Sequence, residues 1–167
     1  MPTDLKIATS SEREALVDQR VLVLATKAKT PVIDGKNLAA GSVVLSIGST
    51  RLDLRELDGE SLRRASIVVA DDPHMVKLES ADIAESIAAG LLDPARMVAL
   101  SAYRRQPPAE IPGGDIAIFK SVGTALQDLA LARMLYRDEK LRTHASEMGE
   151  LTRLKPFSAK AFSAVPV

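Results

Sequence analysis

Two short apolar runs constrain the fold of this chain more than any other feature of its sequence. They occupy residues 21–26 (VLVLAT) and 42–50 (SVVLSIGST). Runs of this length, bounded by Thr, Pro and Gly, are typical of buried strands rather than helices. Because both runs are continuously apolar instead of alternating with polar residues, they favour strands that are covered on both faces, as in a parallel sheet.

Both runs end in small or hydroxyl-bearing residues, which are Thr26 in the first run and Gly48, Ser49 and Thr50 in the second. In open α/β sheets, ligands bind outside the carboxyl ends of the strands. The ends of these two strands are therefore the best candidates in the sequence for contact with a ligand.

Further apolar runs at residues 66–72 and 116–121 complete the predicted α/β sheet. We expect adjacent, mainly parallel strands near residues 21–25, 43–47, 67–70 and 116–119, with helices on the faces of the sheet. Helices are predicted at residues 59–65, 81–90, 94–105 and 122–141, and a loop is predicted at residues 72–80. The last helix is apolar nearly all round, which is typical of a helix buried on more than one side.

The composition excludes several classes of protein. Lys plus Arg and Asp plus Glu both number 22, so the net charge is zero and gives no electrostatic reason to expect nucleic acid or an anionic membrane as a partner. The absence of cysteine excludes disulfides and a cysteine nucleophile. No apolar run approaches the roughly 20 residues that span a bilayer, so we expect a cytoplasmic protein.

Three stretches carry a resemblance to a known family. They are residues 21–58, residues 66–94 and residues 118–136, the last of which reads IFKSVGTALQDLALARMLY. In order, spacing and amino-acid sequence, these stretches resemble the ornithine cyclodeaminase / μ-crystallin family. The most specific of the three contains the FKSVG segment followed by a helix. The resemblance covers about residues 5–137.

The resemblance implies a fold and a domain organisation. Members of that family bind NAD or NADP on a Rossmann domain and dimerise through a separate domain, on which the C-terminal helix packs. By this resemblance, residues 1–122 form a partial, mainly parallel Rossmann-like domain and residues 123–143 form the long helix. Residues 144–167 are expected to form a loose tail, and the long helix implies a homo-oligomer.

The resemblance also implies roles for individual residues. Thr26 matches a threonine near the cofactor, and Ile47, Gly48, Ser49 and Thr50 match the segment that lines the nicotinamide. Ser121 matches a serine near the nicotinamide, and Val122 matches the residue near the substrate.

The chain departs from the cyclodeaminases at two positions. Those enzymes carry a catalytic aspartate where this chain has Thr50 and a lysine where it has Leu54. A hydroxyl cannot replace a carboxylate in proton transfer near neutral pH. The departure favours the NAD(P)-dependent ketimine reductases and amino-acid dehydrogenases, which act on an amino acid or a cyclic imino acid.

The sequence contains no G-x-G-x-x-G turn, and no acidic residue that would hold the ribose can be placed. By resemblance it is a truncated member, and we expect the chain alone not to bind NAD or NADP or to show activity. The alternative is a non-enzymatic remnant or a binding module without catalysis.

Other polar residues are predicted to be ordinary surface groups. Arg51, Asp53, Arg55, Glu56 and Asp58 are interpreted as a solvated loop with weak local ion pairs, although Asp58 can cap the helix that follows. Lys120 is likewise predicted to be solvated. His74 lacks partners at metal-ligand spacing, so no metal site is expected.

Overall fold

The protein is described by a computed structural model that covers residues 19–106 and 116–138. Within these residues, five strands form one sheet in which all neighbours are parallel, in the order β1-β2-β5-β3-β4. The strands are β1 Val21–Leu24, β2 Val43–Ser46, β3 Ala65–Ala70, β4 Met97–Ala99 and β5 Ile116–Lys120. The α/β class and the mainly parallel sheet predicted from the sequence are thus confirmed.

The register of the strands explains why one face of the sheet is buried. Leu22, Val44, Ile118 and Val68 lie in one row across the four strands β1, β2, β5 and β3. All four side chains belong to the hydrophobic core, with Val44 and Val68 completely buried. The apolar runs therefore form strands because their alternate residues supply this core, at about 25 cal/mol per Å² of buried apolar surface.

The helices of the described residues are α1 Gly59–Arg64, α2 Pro73–Glu79, α3 Ala81–Ala88, α4 Leu100–Arg105 and α5 Ala125–Arg137. The predicted cap is present, because the Asp58 side chain accepts from the backbone N–H of Ser61 at the start of α1. Leu62 of α1, Val76 of α2 and Ile83 of α3 are buried in the core beside the sheet.

Two predictions of local structure were wrong. Residues 72–80 form helix α2 rather than a loop, because Asp72 accepts from the N–H groups of His74 and Met75 and Pro73 fits the first helical turn. Residues 94–105 form a short 3-10 turn, then strand β4, then α4. Met97–Ala99 pairs with β3, and this pairing outweighs the helical tendency of the surrounding residues.

Helix α5 contains no buried residue, which contradicts the expectation that it is buried on more than one side. Its exposed apolar side chains include Leu131 at 53% and Leu135 at 43%. Polar residues such as Asp128 and Arg133 interrupt the apolar surface, so the helix tolerates solvent better than its leucine content suggests. The chain divides into two compact units, Met1–Ala125 and Leu126–Val167, and nearly all of α5 belongs to the second.

The predicted tail at residues 144–167 lies outside the described residues. No helix within residues 19–106 and 116–138 combines the length and apolarity needed to cross a bilayer.

Candidate functional site

The candidate residues follow the carboxyl ends of neighbouring strands. Thr26 comes after β1, Gly48 to Thr50 come after β2, and Ser121 comes directly after β5. Asp71 comes directly after β3, the strand on the other side of β5. Because all these strands are parallel, their carboxyl ends meet at one edge of the sheet, where ligands of open α/β sheets bind.

A buried glutamate joins the ends of β1 and β2. One carboxylate oxygen of Glu56 accepts from the backbone N–H of Thr26 at 2.6 Å and from the Thr26 hydroxyl at 3.0 Å. The other oxygen accepts from the Ser46 hydroxyl at 2.7 Å and from the backbone N–H of Gly48 at 3.0 Å. Glu56 therefore fixes the positions of two residues, Thr26 and Gly48, that the resemblance assigns to the cofactor.

Gly48 is required by the close approach of these two strand ends. A Cβ atom at this position would lie 2.1 Å from the carbonyl oxygen of Thr26 and 2.4 Å from a carboxylate oxygen of Glu56. A side chain there would push apart the backbone of Thr26 and the Glu56 carboxylate, which hydrogen bonds hold together.

A buried lysine extends the same network to β5. The Lys120 ammonium donates to the hydroxyls of Ser46 at 2.9 Å and Ser49 at 2.8 Å, and to the carbonyl of Ser49 at 2.8 Å. Ser46 donates in turn to Glu56, and Ser49 donates to Asp82 of α3 at 2.6 Å. Two serine hydroxyls thus connect one buried cation to two buried carboxylates.

Burial and hydrogen bonding shift the pKa values of Glu56 and Lys120, which lie at the two ends of this network. Burial acts to raise the pKa of Glu56, but hydrogen bonds from Thr26, Ser46 and Gly48 together outweigh it, so the pKa lies below its ordinary value. Burial lowers the pKa of Lys120, and the nearby charges of Asp82 and Glu56 offset part of that decrease. We call Glu56, Asp82, Lys120, Ser46 and Ser49 the buried charge cluster.

Two predictions about residues of the buried charge cluster were wrong. Glu56 is completely buried rather than part of a solvated loop, and Lys120 is completely buried rather than solvated. The reason is that each charge has hydrogen-bond partners from other parts of the chain, which are Thr26 and Ser46 for Glu56 and Ser46 and Ser49 for Lys120. The surface interpretation does describe Arg51 and Asp53, which form an exposed ion pair with a 3.0 Å separation.

Ser121 is held by a carboxylate at the end of the neighbouring strand. Its hydroxyl donates to Oδ2 of Asp71 at 2.6 Å, and the backbone N–H of Gly123 donates to the same oxygen at 2.9 Å. Both Asp71 and Ser121 are half-buried. Sequence reasoning did not single out Asp71, although a carboxylate ending a buried strand at the ligand-binding edge was a usable signal.

The remaining predicted site residues differ in how far they are exposed to solvent. Ile47 is 42% exposed and Thr50 is half-buried, so both have surface available to a ligand. Ser49 is completely buried, and Val122 packs in the hydrophobic core. Ser49 and Val122 can therefore offer a ligand little besides their backbone, and their assigned roles stay predictions.

A cavity of about 260 Å³ is lined in part by Asp82 of the buried charge cluster. Its lining includes Arg55, Asp58, Asp82 and Glu85. Arg55 is paired with Glu85, and Asp58 accepts from the backbone of Gly35 and Ser61. These groups already have protein partners, and none of the predicted site residues lines the cavity. Among the described residues, no group of three His, Cys, Asp or Glu side chains could hold a metal ion.

Comparison with known protein families shows to which family this chain belongs. The model of the ornithine cyclodeaminase/mu-crystallin family matches residues 3–143. This chain belongs to that family. Its parallel sheet is therefore the sheet of an ornithine cyclodeaminase/mu-crystallin protein, and the resemblance drawn from the sequence is confirmed.

Curated members of the ornithine cyclodeaminase/mu-crystallin family show moderate identity. Ketimine reductase mu-crystallin of Mus musculus is 30% identical over 127 residues, which cover 76% of this chain and 38% of that protein. Delta(1)-pyrroline-2-carboxylate reductase of Colwellia psychrerythraea is 30% identical over 114 residues, which cover 67% of this chain and 36% of that protein.

Solved structures in the same family share the fold. A probable ornithine cyclodeaminase from Bordetella pertussis matches with a TM-score of 0.66 and 37% identity, over 75% of this chain and 40% of that one. Thermococcus litoralis Delta(1)-pyrroline-2-carboxylate reductase, solved in complex with NADH and L-proline, matches with a TM-score of 0.69 and 33% identity, over 81% of this chain and 42% of that one. The chain thus spans about two fifths of the length of these relatives.

Proposed function

We propose that the carboxyl edge of the sheet forms the nicotinamide side of an NAD(P) site in a reductase of ketimines or cyclic imino acids. The observation that carries the proposal is the convergence of Thr26, Gly48, Thr50 and Ser121, each of them half-buried, at the ends of three adjacent strands. Neutral hydrogen-bonding groups of this kind suit the uncharged carboxamide group of a nicotinamide ring. The relatives named as reductases support the choice of substrate class.

The residue at position 50 supports reduction over cyclisation. A protonated imine accepts a hydride at carbon and becomes an amine without receiving a further proton, so no side chain must act as a carboxylic acid at that step. Bound NAD(P)H would supply this hydride. Thr50, Ser121 and the backbone at Gly48 would orient the ring and the substrate, while the buried charge cluster keeps those groups in place.

The fit is limited to the nicotinamide half of the cofactor. Pyrophosphate is normally bound by backbone N–H groups of a glycine-rich turn that opens a helix, and these 167 residues contain no such turn. We therefore predict that the isolated chain binds NADH and NADPH with millimolar affinity or weaker, where complete sites commonly reach micromolar values. Micromolar binding with a defined stoichiometry would contradict this prediction.

Titration with the two halves of the cofactor tests the proposed site. Nicotinamide mononucleotide should shift the backbone NMR signals of Gly48, Thr50, Ser121 and Gly123 with a millimolar Kd. Adenosine monophosphate has the same ribose phosphate but a different ring, and should leave these four signals unchanged. Equal shifts with both nucleotides, or none with either, would refute a nicotinamide site at this edge.

A second candidate function is binding without catalysis, and the threonine at position 50 is the observation that favours it. The two candidates differ in one measurement. Reduction of Δ1-pyrroline-2-carboxylate by NADH or NADPH, followed at 340 nm, would support the reductase. Nicotinamide mononucleotide binding without any turnover would support the binding module.

A further inference from the structure

The hydroxyl of Ser121 has only one proton, and the structure shows where that proton goes. Ser121 Oγ donates to Oδ2 of Asp71 at 2.6 Å, a length typical of a strong hydrogen bond to a carboxylate. A carboxylate oxygen accepts and does not donate, so the direction of this hydrogen bond is fixed.

Backbone donors fix the Asp71 carboxylate in the same orientation. The N–H of Gly123 donates to Oδ2 at 2.9 Å, and the N–H of Asp72 donates to Oδ1 at 2.9 Å. Because both oxygens are held by backbone groups that cannot rotate away, the carboxylate cannot turn and release Ser121.

The remaining capacity of Ser121 is acceptance. A hydroxyl oxygen accepts at two positions, and the N–H of Gly123 approaches one of them at 3.2 Å. One acceptor position is left for a ligand at the half-buried edge. Ser121 therefore meets a ligand as an acceptor, although serine can ordinarily either donate or accept.

We propose that Asp71 is a specificity-determining residue, which holds Ser121 as an acceptor so that the site selects a pyridine carboxamide over a pyridine carboxylate. The inference rests on the proposed nicotinamide site and adds the basis of its selectivity. Nicotinamide carries an NH₂ group that can donate to Ser121. Nicotinate carries only acceptor oxygens at the same position, and its negative charge would also face Asp71.

Two mononucleotides that differ only in this group provide the test. We would titrate the 167-residue chain with nicotinamide mononucleotide and with nicotinic acid mononucleotide, and measure each Kd by NMR. The wild-type chain should prefer the amide by about fivefold or more, the effect of one hydrogen bond gained against one acceptor left unpaired. Ser121→Ala should reduce the preference because it removes the acceptor, and the preference that remains measures the repulsion between nicotinate and Asp71.

Two substitutions of Asp71 separate hydrogen-bond direction from charge. Asp71→Ala frees the Ser121 hydroxyl to donate, so nicotinate binding should improve and the preference should fall to about twofold or less. Asp71→Asn removes the charge but keeps a carbonyl oxygen, which should occupy the Oδ2 position, where it accepts from Ser121 and Gly123. Asp71→Asn should therefore retain most of the preference for the amide.

The ratio of the two affinities distinguishes this role from a structural one. A merely structural Asp71 would, when replaced by Ala, weaken both nucleotides equally and leave the ratio unchanged, and that result would overturn the inference. Equal binding of both nucleotides to the wild-type chain would also overturn it while leaving the nicotinamide site intact. No binding of either nucleotide would refute the proposed function and this inference together.

Discussion

At the scale of single residues, the buried charge cluster is the feature that defines this edge of the sheet. Lys120, Asp82 and Glu56 are all at or below 4% exposed. Serine hydroxyls bridge the ammonium to both carboxylates, and the ammonium also pairs directly with Asp82 at 3.5 Å. Buried charges are tolerated only when hydrogen bonds replace the lost hydration. The cluster meets this requirement with partners from several elements, so it couples the positions of the strand ends to one another.

We predict that Glu56→Gln makes the free energy of unfolding less dependent on pH in the acidic range. The folded-state pKa of Glu56 is lowered relative to 4.5, so the unfolded chain binds this proton more readily. Its contribution to stability is fully present above pH 4.5 and is lost as the pH falls through the folded-state pKa. Near neutral pH the substitution should cost about 1–3 kcal/mol, because an NH₂ group then faces backbone or hydroxyl donors.

Glu60→Gln is the matched control for this measurement. The pKa of Glu60 is also lowered, by its hydrogen bonds with Arg63, but that pair is at the surface. Urea unfolding at several pH values should show a larger loss at neutral pH for Glu56→Gln than for Glu60→Gln. If the difference between wild type and Glu56→Gln stayed constant from pH 7 to pH 3, the role assigned to the Glu56 carboxylate would be wrong.

We also predict that Lys120→Met destabilises the fold by about 3–5 kcal/mol, since it leaves Glu56 and Asp82 buried without their cation. Lys77→Met, at an exposed position of α2, should change the free energy of unfolding by less than about 0.5 kcal/mol. Chemical denaturation at pH 7 compares the two. A Lys120→Met protein as stable as wild type would mean that the ammonium does not stabilise the cluster.

At the scale of secondary structure, the elements that depend on a local sequence pattern could be predicted, and those that depend on distant partners could not. The four main strands and their parallel arrangement were predicted correctly because each is a continuous apolar run. The expected cover on both faces was wrong for β1, where Val21 and Val23 are each 60% exposed. Strand β4 was missed because three residues, Met97–Ala99, become a strand only by pairing with β3. The roles of Glu56 and Lys120 were missed because their partners are distant in sequence, as in the 74-residue separation between Ser46 and Lys120.

The close contact between the ends of β1 and β2 gives a prediction at this scale. Gly48→Ala should destabilise the protein by about 1–3 kcal/mol, since the added methyl group meets backbone atoms of Thr26. Gly59→Ala is the control, because a Cβ atom there meets only the end of the Leu91 side chain, which can move. Thermal unfolding should show a lower Tm for Gly48→Ala and little change for Gly59→Ala; equal Tm values would show that the strand ends separate easily.

At the scale of the whole molecule, apolar surface remains exposed in both compact units. Val21 and Val23 of β1 are each 60% exposed, and Leu126 and Leu129 of α5 are 75% and 63% exposed. Exposed apolar patches and unpaired strands favour association. We therefore predict that the isolated chain self-associates in solution.

Sedimentation velocity over a range of concentrations tests this prediction. Val23→Thr keeps the branched side chain of a strand residue, and Leu131→Gln keeps a good helix former, so each reduces one apolar surface with little effect on local structure. Whichever substitution lowers the apparent mass identifies the surface responsible. A monodisperse monomer at high concentration, with a cooperative melt, would contradict the prediction.

The position of β5 has a consequence for biosynthesis. This strand is the last of the five strands that the structure describes, but it lies at the centre of the sheet, hydrogen-bonded to β2 on one side and β3 on the other. During translation, the ribosome releases β1 to β4 as two pairs with no strand to join them, and such late, long-range pairing is slow. Nascent chains arrested after residue 106 should therefore remain protease-sensitive, whereas chains in which residue 138 has left the exit tunnel should become resistant in one step.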